Sequence, residues 1–206
     1  MESVNRWLRR VPTWTIYLAG LLWAAFVFWQ AVTGAIGVDP VRELEHALGL
    51  RALQLLIFGL AITPLRRFTG LNLLRFRRAI GLTAFGLTAL HLMAWFVFDI
   101  GLNWAAAGAD ILKRPYITIG MAGFVLLIPL AMTSNNLSIR RLGPQWRRLH
   151  RLTYAAVLAG GVHYLMVVKS WPMQPMVYCA LILVLLGLRF WPKGVRTGRK
   201  TADSRE

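Results

Sequence analysis

Polar positions in this chain gather into short blocks, and between them run six predominantly apolar stretches, at residues 11–32, 47–65, 79–98, 116–133, 152–168 and 173–191. Each approaches the ~20 residues that an α-helix, rising 1.5 Å per residue, needs to cross ~30 Å of hydrocarbon. An open sheet edge finds no hydrogen-bond partner in lipid, whereas a helix satisfies its own backbone. The pattern therefore predicts an all-α polytopic membrane bundle of six transmembrane helices. The second stretch is the least regular. Arg51 interrupts it near one end, where a long side chain reaches the interface, so the span is expected to start at Ala52 and to be short. Just outside it, Leu44, Ala47 and Leu48 at helical spacing with polar neighbours predict a short interfacial helix.

Composition strengthens the membrane reading. Hydrophobic residues make up 57% of the chain and mean hydropathy is +0.53, too apolar for a soluble domain. The net charge of +16 does not mark a nucleic-acid binder, because the basic residues sit in blocks between apolar runs and not on one polar face. It reads as topology. Arg6, Arg9 and Arg10 precede the first span, Arg66, Arg67, Arg75, Arg77 and Arg78 follow the second, and Arg140, Arg141, Arg147, Arg148 and Arg151 follow the fourth. Arg189, Lys193, Arg196, Arg199, Lys200 and Arg205 end the chain, which puts nineteen of the 24 basic residues on one side. The positive-inside rule then predicts both termini, residues 1–10 and the basic tail 192–206, in the cytoplasm. The first stretch is read as a span and not a cleaved leader, because it is too long for an ordinary signal core and its removal would leave an odd number of spans. Residues 1–206 are read as one domain.

Against this background His91, His150 and His163 stand out. Ionisable groups are disfavoured in hydrocarbon, and those present usually serve a pathway, a partner or a metal. His91 lies 13 residues beyond Arg78 and His163 lies 12 beyond Arg151. On parallel helices these are depths of about 19.5 and 18 Å from the inner edge. Two imidazoles at one height on two helices suit the axial positions of a single haem iron in the outer half of the membrane. The competing reading of either histidine alone is a hydrogen bond between helices. Gly81, Gly86, Gly160 and Gly161 would let the histidine helices pack closely, and no intramembrane carboxylate is expected beside them.

His150 admits two readings. It lies about 19.5 Å below His163 by helical rise, the spacing of two stacked haems, with Arg77 or water as the opposite partner. Thirteen residues turn an ideal helix by about 220° net, so the two histidines would not share a face. The other reading is a histidine in a cationic patch. His46 is expected to be solvated, or to meet an external redox partner. Cys179 is read as a packing residue.

The stretches Gly37-Val38-Asp39-Pro40-Val41, Leu90-His91-Leu92, Arg114-Pro115-Tyr116-Ile117-Thr118-Ile119-Gly120, Arg141-Leu142-Gly143-Pro144-Gln145-Trp146-Arg147-Arg148-Leu149-His150 and His163-Tyr164-Leu165 follow one another through nearly the whole chain. In that order the chain resembles the MsrQ (YedZ) membrane subunits of the ferric-reductase-like transmembrane superfamily. The resemblance implies a haem b electron carrier that serves MsrP, a periplasmic molybdopterin enzyme reducing methionine sulfoxide in oxidised envelope proteins. It carries the family's ligands onto His91, His150 and His163. It also implies FMN binding, for which no residue here stands out. Two-haem relatives hold two histidines on each of the third and fifth helices, whereas this chain has one on the third.

There is no Gly-x-Gly-x-x-Gly turn after a strand, and no soluble domain is expected after Trp191 for NADPH or FAD. Electrons are then expected from a quinol in the membrane or from a cytoplasmic flavin reductase docked on the basic loops. Two axial histidines leave iron no open position, which favours electron transfer over oxygen activation. Three functions are separable: the haem subunit of a two-component reductase, a self-sufficient transmembrane reductase of ferric iron or another small acceptor, and a non-redox transport or scaffold protein. Near the fourth span Asp110, Lys113, Arg114 and Tyr116 would either meet a partner or a haem propionate, or anchor the interface.

Overall fold

The computed structural model describes residues 2–168 and 173–190. Among these residues the fold is all-α. The tail 192–206, with Lys193, Arg196, Arg199, Lys200 and Arg205, lies outside them, as do Lys169 and Trp191.

A polar helix α1 (Glu2–Arg10) is tied to the loop after the third helix: the Asn5 side chain donates to Gly70 O and accepts from the Asn72 N–H. Helix α2 (Trp14–Val32) buries only Ala24 and Val27. Helix α3 (Pro40–Thr69) runs for 30 residues, its first turn capped by Asp39, which accepts from the Arg42 N–H, with Pro40 pre-set for the first helical position. Two expectations are corrected here. Arg51 lies well inside this helix and does not mark its start, and the expected interfacial helix is its outer end. Helix α4 (Arg77–Ala94) opens from a 3-10 turn at Leu74–Phe76 and closes in a π-turn at Trp95–Asp99. Helix α5 (Trp104–Lys113) is capped by Asn103 and leads into α6 (Pro115–Met132). Two short helices, α7 (Asn136–Leu142) and α8 (Pro144–Leu149), precede α9 (Leu152–Val167) and α10 (Met173–Phe190).

Among the described residues four helices are long and apolar enough to cross a membrane: α2, α3, the 74–99 segment containing α4, and α6. Helix α9 has 16 residues, and Met173–Arg189 is a shorter apolar helix. Their outward faces carry Leu21, Leu22, Trp29, Val125, Leu183 and Val184. In lipid, apolar burial itself drives little association, so close packing and interhelical hydrogen bonds must hold such helices together. Helix α3 is the axis. One cluster joins its Leu53, Leu56, Ile57 and Leu60 to Leu127, Ala156, Val157 and Ile182, and a second joins its Leu44, Leu48 and Ala52 to Ala24, Val27 and Leu87. Gln54 of α3 donates to the Tyr178 hydroxyl of α10 at 2.7 Å. The most extensive pairings are α3 with α4 and α6 with α9. Each pair contains one of the two histidine helices.

Candidate functional site

His91 projects from α4 and His163 from α9. The Nδ1–H of His91 donates to the carbonyl oxygen of Glu45 on α3 at 2.8 Å, and that of His163 donates to the carbonyl oxygen of Tyr116 on α6 at 2.7 Å. A carbonyl only accepts, so Nδ1 must carry the proton in both rings and Nε2 keeps its lone pair. The two ring centroids are 6.1 Å apart with their planes inclined at 76°.

Each imidazole reaches a carbonyl within a helix, and what allows this is glycine one turn further on. A helical carbonyl at position i points toward residue i+4, where a side chain would screen it. Here Gly49 follows Glu45 by four residues and Gly120 follows Tyr116 by four. A Cβ on Gly49 would stand 3.1 Å from His91 Nδ1 and 3.2 Å from its Cε1, and one on Gly120 would stand 2.7 and 2.9 Å from the same atoms of His163. The small residues that matter are therefore on the facing helices. Gly81 and Gly86 face open space, Gly160 meets Leu53, and Gly161 meets Ile182. The overlooked signal was one glycine in each apolar neighbour, four residues after a position level with a histidine.

Two metal–imidazole bonds of about 2 Å, with the half-width of each ring, come to roughly 6 Å. The 6.1 Å between rings matches this distance, and two neutral, carbonyl-anchored imidazoles are the donor set that an axially closed haem needs. Among the described residues no group of three or more His, Cys, Asp and Glu side chains gathers to hold a bare metal ion. The surroundings are less apolar than expected, because Glu45 Oε1 is buried and unpartnered on the same helix as Gly49.

At the rim, Arg114 pairs with Asp110 at 2.8 Å and donates to the Tyr116 hydroxyl at 3.1 Å. That hydrogen bond, with help from Asp110, raises the Arg114 pKa. The Tyr116 ring lies 6.2 Å from His163, so the rim is bonded to the site and not only to the interface. His46 is exposed, with its ring 5.8 Å from Tyr164. Cys179 packs with its thiol toward Gly161 O.

His150 sits in the turn between α8 and α9, so the helical-rotation argument about its face does not apply. The Thr133 hydroxyl donates to Pro129 O at 2.6 Å and so accepts from His150 Nε2 at 3.1 Å. Trp146 stacks on the imidazole at 3.9 Å and donates to Thr133 O. Partial burial, then the Arg77 charge, push the His150 pKa below its ordinary value. Both residues line a cavity of about 390 Å³, together with Arg78, Arg151, Tyr154 and Arg189. Arg189 bonds the Tyr154 hydroxyl and Thr63, leaving its Nε buried and unpartnered.

Residues 46–161 match the family described as ferric reductase like transmembrane component. Over 189 residues the chain is 49% identical to the protein-methionine-sulfoxide reductase heme-binding subunits MsrQ of Brucella ovis and Brucella canis, an alignment covering 92% of this chain and 86% of each relative. No solved structure matches. With its apolar helices this is a multi-pass membrane protein. The paired histidines thus stand inside the matched region or just beyond it, and the chain belongs to the MsrQ family of the ferric-reductase-like transmembrane components.

Proposed function

We propose that the chain is the haem b electron-transfer subunit of a two-component reductase, with His91 and His163 as the axial ligands of one haem. The single observation that carries this reading is two Nε2 lone pairs on rings 6.1 Å apart, each fixed by an Nδ1–H bond to a helix carbonyl. A haem bound there supplies one-electron carriage by its iron. The chain's own part is to hold both imidazoles neutral, in one tautomer and in one orientation, and to close both axial positions against other ligands. In this reading all six apolar helices span a bacterial inner membrane, both termini are cytoplasmic, and the chain folds as one domain.

Electrons enter from a quinol or a cytoplasmic flavin reductase and leave to a periplasmic MsrP-like molybdopterin reductase, which holds the catalytic site for methionine sulfoxide. The name of the relatives supports the coupling to methionine sulfoxide reduction. In a two-haem reading His150 and Arg77 would line a second, inner cofactor position; otherwise His150 is a histidine in a cationic patch. A second haem there would require His150 Nε2 to leave Thr133, so the haem count per chain discriminates one centre from two.

The test is a purified chain, reduced anaerobically and mixed with its periplasmic partner and a methionine sulfoxide substrate. A Soret band that shifts to the oxidised position only when partner and substrate are both present is expected. Absence of any Soret band after haem is supplied would sink the reading.

A further inference from the structure

Helix α1 is amphipathic, and the bundle uses only part of its apolar side. At about 100° per residue, Val4, Trp7, Leu8 and Val11 fall on one side of the helix axis, and Arg6, Arg9 and Arg10 gather on the other. Leu8 and Val11 pack on Ile62, Phe76 and Ile80, near the end of α3 and the start of α4. Val4 and Trp7 do not. They are 45% and 64% exposed, and Phe68 and Leu74 are exposed at the same end of the bundle. Glu2 is the only carboxylate on the helix, and among the described residues no carboxylate pairs with Arg6, Arg9 or Arg10.

A helix of 9 residues is marginal on its own, so tertiary bonds must hold it. The Asn5 side chain donates to Gly70 O at 3.1 Å and accepts from the Asn72 N–H at 3.0 Å. The Arg75 guanidinium donates to Leu8 O and Arg9 O, last-turn carbonyls that have no partner within the helix. This clamp fixes where the arginines stand. Ile62 lies four residues before Arg66 and Ile80 two beyond Arg78, about 6 and 3 Å inside the arginine edge of the bundle. Trp7, next to Leu8 on that seam, therefore stands at the level of the glycerol and phosphate groups of a bilayer. A soluble protein could cover it only by displacing lipid.

We infer that α1 is an interfacial helix that binds anionic phospholipid, with Val4 and Trp7 among the upper acyl chains and Arg6, Arg9 and Arg10 reaching the headgroup phosphodiesters. Such a helix gains twice, because lipid replaces water over the apolar side and each arginine near an anionic surface adds attraction. Long arginine stems lie along the apolar layer while their planar heads meet phosphate oxygens. A zwitterionic headgroup carries its own ammonium, so three unpaired arginines select a lipid of net negative charge such as phosphatidylglycerol. The loop that Asn5 and Arg75 hold leads directly into Arg77 and Arg78, which line the inner cavity. Placement in the inner leaflet rests on the orientation proposed above; the headgroup selection does not.

The experiment reads Trp7 fluorescence in the full chain, held in phosphatidylcholine nanodiscs with a minor share of acyl-brominated phosphatidylglycerol or acyl-brominated phosphatidylcholine. Bromine quenches indole on contact, and the difference between the unaltered chain and Trp7→Phe isolates the Trp7 signal. Quenching per molecule is expected to be about fivefold stronger for phosphatidylglycerol, and added salt should narrow that preference. Arg6→Gln, Arg9→Gln and Arg10→Gln together should abolish the preference while Trp7 stays quenched, since glutamine is nearly as good a helix former as arginine. Arg140→Gln, Arg141→Gln and Arg148→Gln together, which remove the same charge from α7 and α8, should keep it. Equal quenching by the two lipids in the unaltered chain overturns the proposal, as does a preference untouched by salt or by the α1 substitutions. A preference lost equally in the α7 and α8 variant also overturns it and assigns the effect to the overall charge of that face. Absence of Trp7 quenching by either lipid overturns it and leaves the helix to a protein partner.

Discussion

The outer and inner histidines differ in which nitrogen is free. At the outer site both Nδ1–H groups are spent on helix carbonyls and both Nε2 atoms remain available, on rings only 6.1 Å apart. At the inner cavity His150 spends Nε2 on Thr133, is covered by Trp146, and has Arg77 beside it. Both places have a histidine and neighbouring polar groups, yet only the outer one has two facing imidazoles whose Nε2 atoms are both left free. An intramembrane histidine becomes a ligand candidate through the group behind it as much as through its own depth.

The sharpest way to break this contrast is to remove the rings. His91→Ala and His163→Ala should each abolish the outer haem, seen as loss of its share of the Soret absorbance, because one imidazole cannot fill both axial positions. Crowding the carbonyl bonds behind the rings should cost less. Gly120→Ala places a methyl 2.7 Å from His163 Nδ1, whereas Gly49→Ala places one 3.1 Å from His91 Nδ1. Haem retention should fall about 10- to 100-fold in the first and less in the second, measured by titration with haem; the reverse order would contradict the carbonyl-sharing account.

At the inner cavity His150→Ala should lower the haem count or slow reduction from the inner side, leaving the outer spectrum intact. Unchanged count and rate would make His150 structural. The pH response of this residue has a definite sign. Its folded pKa is depressed, so the unfolded chain takes up the proton first. Stability is therefore full above the ordinary imidazole value near 6.5 and declines as pH falls below it, until the depressed folded value is passed. Thermal unfolding of His150→Gln should lack that acid-side increment. The smallest effect is expected at Gln54→Leu, which removes the bond to Tyr178 and should cost about 0.6 kcal/mol in reversible unfolding.

Much of this contrast could be read along the chain. Helical rise alone brought His91 and His163 to one level, because depth in a spanning helix is a local property of residue count. The Asp39-Pro40 start of α3 was also written in the sequence, but the charged residues after it read as a surface segment, and Arg51 read as a boundary. It lies instead inside a 30-residue helix, with its guanidinium over the Trp23 ring of a neighbouring helix, a tertiary contact. Gly49 and Gly120 were not recognised because their role depends on α3 pairing with α4 and α6 with α9, a tertiary fact that no periodicity encodes. Thr133 was invisible as the partner of His150 for the same reason: 17 residues and two short helices separate them.

The most direct measurement is pulsed electron paramagnetic resonance of the ferric protein with nitrogen-15 in its histidines alone. Two directly coordinated histidine nitrogens are expected for the outer haem, with that signal lost in His91→Ala and in His163→Ala. Histidine nitrogen couplings that survive unchanged in both variants would show that these facing rings do not hold the iron.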